Sequence, residues 1–144
     1  MPTTMKVTAT QVGPMSFRAR GGTSGQELTM DAATDAGGAG DGFRPMELLL
    51  VGLAGCTGMD VVSILRRMRE DVTGYELEVV GERRDEHPKK YTKITVEHVF
   101  RGRGLNPKNV ERAMRLSADK YCSASANLSA GAEVVHTFRI EELT

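Results

Sequence analysis

The sequence has no tryptophan, only 5% aromatic residues and two cysteines, and its 19 Lys and Arg are balanced by 19 Asp and Glu. A net charge of zero supplies no basic excess of the kind that holds nucleic acid, so no nucleic-acid partner is expected. The short pairs Arg66-Arg67 and Lys89-Lys90 read as solvated faces. The three histidines, His87, His98 and His136, lack the short spacing of a ligand set, and no metal is expected. Gly21-Gly22-Thr23-Ser24-Gly25 has neither the Lys nor the strand-to-helix setting of a phosphate loop and reads as a hairpin turn. There is no Gly-x-Ser-x-Gly elbow and no Ser/His/Asp set. Met1-Pro2-Thr3-Thr4-Met5-Lys6 lacks the charged-then-apolar layout of a signal peptide, so a cytoplasmic chain is expected.

What is present fits an ordinary globular chain: 144 residues, 40% of them hydrophobic and 26% charged. That length suits one domain over residues 1–144, able to bury a core without staples. Alternation of apolar and polar residues predicts three short strands near 5–11, 15–20 and 26–31, forming a meander. Arg18 and Arg20 fall on one face of the second, because strand side chains repeat every two residues. The glycine-rich stretch 36–42 reads as a flexible loop.

Pro45 then suits the first position of a helix, with Glu47 in the first turn where the helix dipole favours a carboxylate. The helix is expected to run to about residue 69. Its first half is apolar nearly all round, which predicts burial on every side. The run over 45–64 is apolar enough to suggest a membrane span, but it carries Glu47, Asp60 and three glycines, and a buried core helix is the better reading. Gly52, Gly55 and Gly58 each cost about 1 kcal/mol of helix propensity. Their spacing implies that another backbone approaches closely.

Two strands follow, 72–84 and 91–101, joined by Asp85-Glu86-His87-Pro88, each with one apolar face. His98 and His136 lie on apolar strand faces and are expected to be hydrogen-bonded near the core. Asn106-Pro107 opens a second helix as cap and first residue, with Val110, Ala113, Met114, Ser117 and Tyr121 on one stripe and Glu111 four residues before Arg115. Cys122 stands at its end, 123–129 continues as a helical turn, and 133–142 is a closing strand. The order predicts an α+β fold with a sheet of about six strands, antiparallel in type, a long buried central helix and a second helix. One sheet covers one side of a helix buried all round, so a second protomer is expected to cover the other.

In a reducing compartment, Cys56 and Cys122 are either two inert small hydrophobes or a transient catalytic pair. The string Pro45-Met46-Glu47-Leu48-Leu49-Leu50-Val51-Gly52-Leu53-Ala54-Gly55-Cys56-Thr57, with Lys120-Tyr121-Cys122-Ser123-Ala124-Ser125 far downstream, resembles the OsmC/Ohr family of osmotically inducible and organic hydroperoxide resistance proteins, in its OsmC-like branch. The resemblance spans essentially the whole chain. It implies an intertwined homodimer and a two-cysteine peroxidase acting on organic hydroperoxides. Cys56 matches the peroxidatic cysteine, whose thiolate becomes a sulfenic acid, and Cys122 the resolving cysteine that closes a disulfide. A reductant protein or small dithiol would reset the pair, and no bound cofactor is implied. In such proteins an Arg of the N-terminal strands lowers the thiol pKa and a Glu at the helix start holds that Arg.

Two positions differ from this pattern. Met46 follows Pro45 where the Glu is expected, leaving Glu47 as the carboxylate, about half a turn from Cys56 on an ideal helix. Thr23 stands where the Arg falls, with Arg18 and Arg20 as nearby substitutes. Both differences favour an alternative: a non-enzymatic, stress-related binding or redox-sensing protein that keeps the fold. In the enzyme reading, an apolar wall over 48–53 shapes the pocket for the alkyl part of the peroxide.

Overall fold

Alternation along the N-terminal third produces the expected meander: β1 (Val7–Gln11), β2 (Ser16–Gly21) and β3 (Glu27–Asp31), antiparallel and in that spatial order. The computed structural model describes residues 3–143, so the first two residues of the N-terminal reading lie outside it, and its chain divides into two compact units between Leu49 and Leu50. In the first unit, Phe17 pairs with Gln11 and Met30, and Ala19 with Ala9 and Leu28. The apolar side chains therefore share one sheet face and Thr8, Thr10, Arg18, Arg20 and Thr29 the other. That apolar face is open: Val7 is 73% exposed and Phe17 42%. At the start of the second turn, the Gly22 N–H donates to Lys6 O at 2.7 Å, an approach that leaves no space for a side chain.

The stretch after β3 is not the flexible loop its glycines suggested. Asp31 is 2% exposed, and its carboxylate accepts the N–H groups of Ala32 (2.8 Å), Ala39 (3.1 Å) and Asp41 (3.2 Å). Burial by itself would push the Asp31 pKa up, but these backbone donors hold it below the ordinary carboxylate value. The chain turns through one 3-10 turn, Thr34–Ala36, and Gly38 passes so close to the Ala32 carbonyl that a Cβ would collide with it. The glycines thus serve convergence on a buried charge.

Helix α1 (Pro45–Arg67) continues into the second unit, followed by β4 (Val72–Arg83), β5 (Tyr91–Gly102), α2 (Pro107–Leu116), a wide five-residue π turn (Ser117–Tyr121), α3 (Ser123–Leu128) and β6 (Glu133–Glu142). α1 ends two residues before the expected position because Arg69 adopts a left-handed φ of 60° and the Glu70 N–H returns to Leu65 O at 3.0 Å. All six expected strands form, but as two three-stranded sheets. β4 and β5 are antiparallel; β6 lies beside β5 in parallel, which corrects the antiparallel expectation. The reason is the helical crossover between them, since a parallel pair needs a long connection.

One face of β4-β5-β6 carries Tyr75, Leu77, Ile94, Val96, His98, Phe100, Phe138 and Ile140, and the other an ion-pair lattice in which Arg101 meets Glu141 at 2.7 Å and Arg139 meets Glu97 at 3.1 Å. The core gathers Val61 and Leu65 of α1, Phe100, Leu105, and Val110 and Ala113 of α2. α1 is not buried all round. Its buried residues are Leu53, Thr57, Gly58, Val61 and Leu65, a stripe about one turn apart, whereas Val51 is 49% and Met59 76% exposed. One sheet covers one stripe. Of the three glycines, Gly58 meets Leu77 Cδ1 at 3.2 Å from its would-be Cβ, while Gly52 and Gly55 face open space within 4 Å.

α2 opens as the sequence indicates: the Asn106 side chain accepts the Lys108 N–H at 3.0 Å ahead of Pro107. Tyr121, expected on its buried stripe, is 51% exposed, because the π turn shifts the phase of the residues that follow. The two strand histidines are hydrogen-bonded in the interior as expected. Tyr75 Oη lies 2.6 Å from His98 Nδ1, and His98 Nε2 lies 3.0 Å from His136 Nδ1. Burial, with His136 beside it, lowers the His98 pKa to about 4; burial likewise lowers His136.

Between pH 6.5 and about 4 the unfolded chain binds a proton that folded His98 refuses, so stability falls as pH falls through that window. Urea unfolding at pH 7 and pH 5.5, where most carboxylates remain ionised, should show a loss of about 1 kcal/mol that His98→Phe largely removes. Equal urea midpoints at the two pH values would show that the buried imidazoles are protonated without cost.

Candidate functional site

The two cysteines lie on separate elements of the second unit, and polar contacts bring them together. α1 presents Cys56 half-buried and, on the next residue, Thr57 fully buried. The π turn delivers Cys122 in an extended conformation, φ −73° and ψ 105°, with its N–H bonded to Ser117 O at 2.8 Å. Cys122 is the N-cap of α3, its sulfur accepting the Ser125 N–H at 3.3 Å. Thr57 Oγ1 lies 3.3 Å from the same sulfur, and Cys56 is near enough to raise its pKa. One turn farther along α1, Asp60 Oδ2 accepts the Ser117 hydroxyl at 2.9 Å. Two tethers therefore bind the turn to the helix, and they place Cys122 beside Cys56.

The sulfurs differ in environment. Cys122 is 4% exposed, and burial pushes its pKa up; the Thr57 hydroxyl and the Ser125 N–H act in the opposite direction, and Cys56 adds to the rise. Cys122 is therefore a protonated thiol at neutral pH, while Cys56 has access to solvent. An open groove of about 680 Å³, whose lining includes neither cysteine, runs along α1 from Gly55 past Met59 and Val62 to Arg66, walled on the strand side by Tyr75 and Leu77. Its helix wall lies C-terminal to the 48–53 segment that the sequence indicated.

Glu47, Arg18 and Arg20 belong to the first unit. Glu47 Oε1 accepts the Arg44 N–H at 2.8 Å, and the Glu47 N–H donates to Arg44 O at 3.0 Å, closing the start of α1 as a capping box does. Arg18 and Arg20 project from the exposed polar face of β2, opposite Thr10 and Thr29, and Thr8 and Glu27, respectively. Among the described residues no ion pair joins either Arg to Glu47. The Arg44 guanidinium donates to Gly42 O at 2.9 Å.

Four side chains or amides around the cysteines escaped the sequence reading: Thr57, Asp60, Ser117 and Ser125. Each had a signal. Thr57 and Asp60 interrupt an apolar helical run at the phase of its buried stripe or beside it. Ser125 follows Cys122 by three residues, the spacing from an N-cap to the amide it satisfies.

A family model described as "OsmC-like protein" matches residues 38–137. Protein YhfA of Escherichia coli (strain K12) is 38% identical over 118 residues, covering 81% of this chain and 84% of its own. A protein from Aquifex aeolicus VF5, whose crystal structure superposes with a TM-score of 0.86 over 99% of this chain and 100% of the other, is 28% identical. The organic hydroperoxide resistance protein OhrB of Bacillus subtilis shares the fold, with a TM-score of 0.65 at 18% identity, covering 95% of this chain and 98% of that one.

The difference between the two sulfurs has a direct chemical consequence. Under native conditions at pH 7.5, iodoacetamide should modify Cys56 at least about tenfold faster than Cys122, read by peptide mass mapping over time. Equal rates would show that the contacts around Cys122 open freely.

Proposed function

The chain belongs to the OsmC-like protein family, and on that premise we propose that it is a thiol-dependent peroxidase that reduces organic hydroperoxides through Cys56 and Cys122. The observation that carries this reading is the nearness of a half-buried Cys56 to a buried Cys122 on a different element. Membership of the family and likeness to organic hydroperoxide resistance proteins support a peroxide-resistance role in stress.

In the proposed cycle the Cys56 thiolate attacks the outer peroxide oxygen, the O–O bond breaks, and the alkoxide leaves and takes a proton as the alcohol. Cys56 is then a sulfenic acid. The Cys122 sulfur attacks it, an S–S bond replaces the S–O bond, and the hydroxyl leaves with the thiol proton as water. A dithiol, protein-borne or small, reduces the disulfide by exchange. Keeping Cys122 protonated and enclosed suits the second role, because it does not compete for peroxide. The apolar groove from Gly55 to Val62 suits the alkyl part of the substrate. Arg18 or Arg20 is the proposed source of positive charge for Cys56, without the Glu47 carboxylate, which the Arg44 amide holds, and the cytoplasm is the proposed compartment for a pair that must be reset by thiols.

The proposed assembly is a homodimer. The open apolar face of the meander and the exposed Val51 and Met59 of α1 support it, since a chain rarely leaves such surface to water. Gly55 has room for a side chain within one chain. Gly55→Leu should therefore leave the fold intact but shift sedimentation from dimer to monomer by at least about tenfold in dissociation constant; an unchanged dimer would place the contact elsewhere.

A second reading, a binding or redox-sensing protein, is favoured by the engagement of the Glu47 carboxylate with the Arg44 amide in place of an arginine side chain. One experiment separates the two. One equivalent of cumene hydroperoxide added to reduced protein should remove two thiols per chain and yield a Cys56–Cys122 disulfide by mass spectrometry, absent in Cys56→Ser. Two unreacted thiols would overturn the peroxidase and leave the groove's ligand as the question.

A further inference from the structure

Thr57 is wholly buried, yet its hydroxyl is directed at sulfur: Cys122 Sγ lies 3.3 Å from Oγ1. The Cys122 sulfur has a second protein contact of a different kind, the Ser125 N–H at 3.3 Å, which can only donate. A hydroxyl can do both. It accepts from a thiol S–H, and by rotating about its C–O bond it donates to a thiolate without moving a heavy atom. Consecutive helix residues are about 100° apart, so one turn of α1 aims Thr57 into the interior while Cys56 stays accessible. The same turn thus carries the sulfur that meets the oxidant and the group that holds the sulfur answering it.

We propose that Thr57 is a positioning residue for disulfide closure: it holds the Cys122 sulfur against Cys56 and, as the thiol loses its proton, turns from acceptor to donor. This rests on the peroxidase reading above. In the step concerned, Cys122–SH and Cys56–S–OH become Cys56–S–S–Cys122 and water. The S–O and S–H bonds break, the S–S bond forms, and the departing hydroxyl carries off the proton. As the charge develops on Cys122 it meets two donors, Thr57 and the Ser125 amide, in a site closed to water, where such bonds are strongest. The Ser117–Asp60 bond at 2.9 Å fixes the turn that leads into Cys122, so the loss of Thr57 alone leaves the sulfur close by but without its hydroxyl hydrogen-bond partner.

The test compares wild type, Thr57→Val and Thr57→Ser. After one equivalent of cumene hydroperoxide, dimedone trapping reports the Cys56 sulfenic acid, and thiol counting reports disulfide closure from pH 6 to 9. Thr57→Val should form sulfenic acid at the wild-type rate but close the disulfide about tenfold more slowly at pH 7, with the closure profile displaced to higher pH. Thr57→Ser should restore both. Should valine prevent folding, judged by circular dichroism, Thr57→Ala carries the same expectation. Closure at the wild-type rate with an unchanged pH profile would overturn the assignment. If wild type forms no sulfenic acid, the peroxidase reading fails by itself. Thr57 is then read from closure driven by diamide, in which Cys56 adds to the N=N bond and Cys122 displaces it. Slower closure in Thr57→Val sustains the role of Thr57, and equal closure ends it.

Discussion

The second unit depends on a single stripe of α1 laid against a three-stranded sheet. Leu53, Thr57, Val61 and Leu65 recur every four residues and are wholly or almost wholly buried. Burying each of the three aliphatic members contributes about 1.5–3 kcal/mol. The fourth is a hydroxyl, and a buried hydroxyl without a partner would cost a comparable amount. The fold answers by bringing Cys122 to Thr57. What would be a defect in the stripe thereby fixes where the second sulfur must lie, and Cys56, one residue earlier on the helix, is brought beside it by the same contact. Packing and the placement of the cysteines are one constraint.

A similar rule governs the strand side of that core. His98 is fully buried, its ring stacked beside that of Phe100, and it is tolerated because Tyr75 and His136 occupy its two ring nitrogens. Tyr75 stacks on Phe100 with ring centroids 4.5 Å apart, so the polar chain is held between aromatic planes. The buried imidazoles give up their charge, and the core remains apolar in effect at neutral pH. In the first unit the answer is reversed. Asp31 keeps its charge because the backbone of a glycine-rich loop supplies three N–H donors to it.

These contrasts explain how much was legible in the sequence. Alternation, proline and asparagine caps, and glycine turns located every strand and both long helices, since these are local signals. The nearness of Cys56 to Cys122 was suggested only by family resemblance, because proximity across distant segments has no local signature. The parallel placement of β6 was hidden for the same reason. The apolar first half of α1 misled in a specific way: composition reports that surface must be covered, but not whether this chain or another covers it. Leu49 and Val51, nearly half exposed, show that much of the cover is not supplied by this chain. Glycines 37, 38, 40 and 42 were read as freedom when they serve a carboxylate that precedes them. Glu47 was legible as a first-turn carboxylate, and its partner, the Arg44 amide, is what a capping box predicts.

The difference in environment between the two sulfurs follows from where each element ends. A cysteine in mid-helix has its backbone amide and carbonyl committed to the helix, so its reactivity is set by what approaches its side chain. A cysteine at an N-cap has backbone amides directed at its own sulfur. Cys122 occupies such a position and is buried there, so burial and backbone donation oppose each other, with burial prevailing in the resting thiol. Donors gain strength with the charge they face, but so does the cost of enclosure, so the Thr57 hydroxyl and the Ser125 amide offset only part of the penalty that burial puts on the thiolate. A buried, capped cysteine is accordingly a poor first nucleophile, which is consistent with the second role proposed for Cys122, and the π turn is the local distortion that places it there.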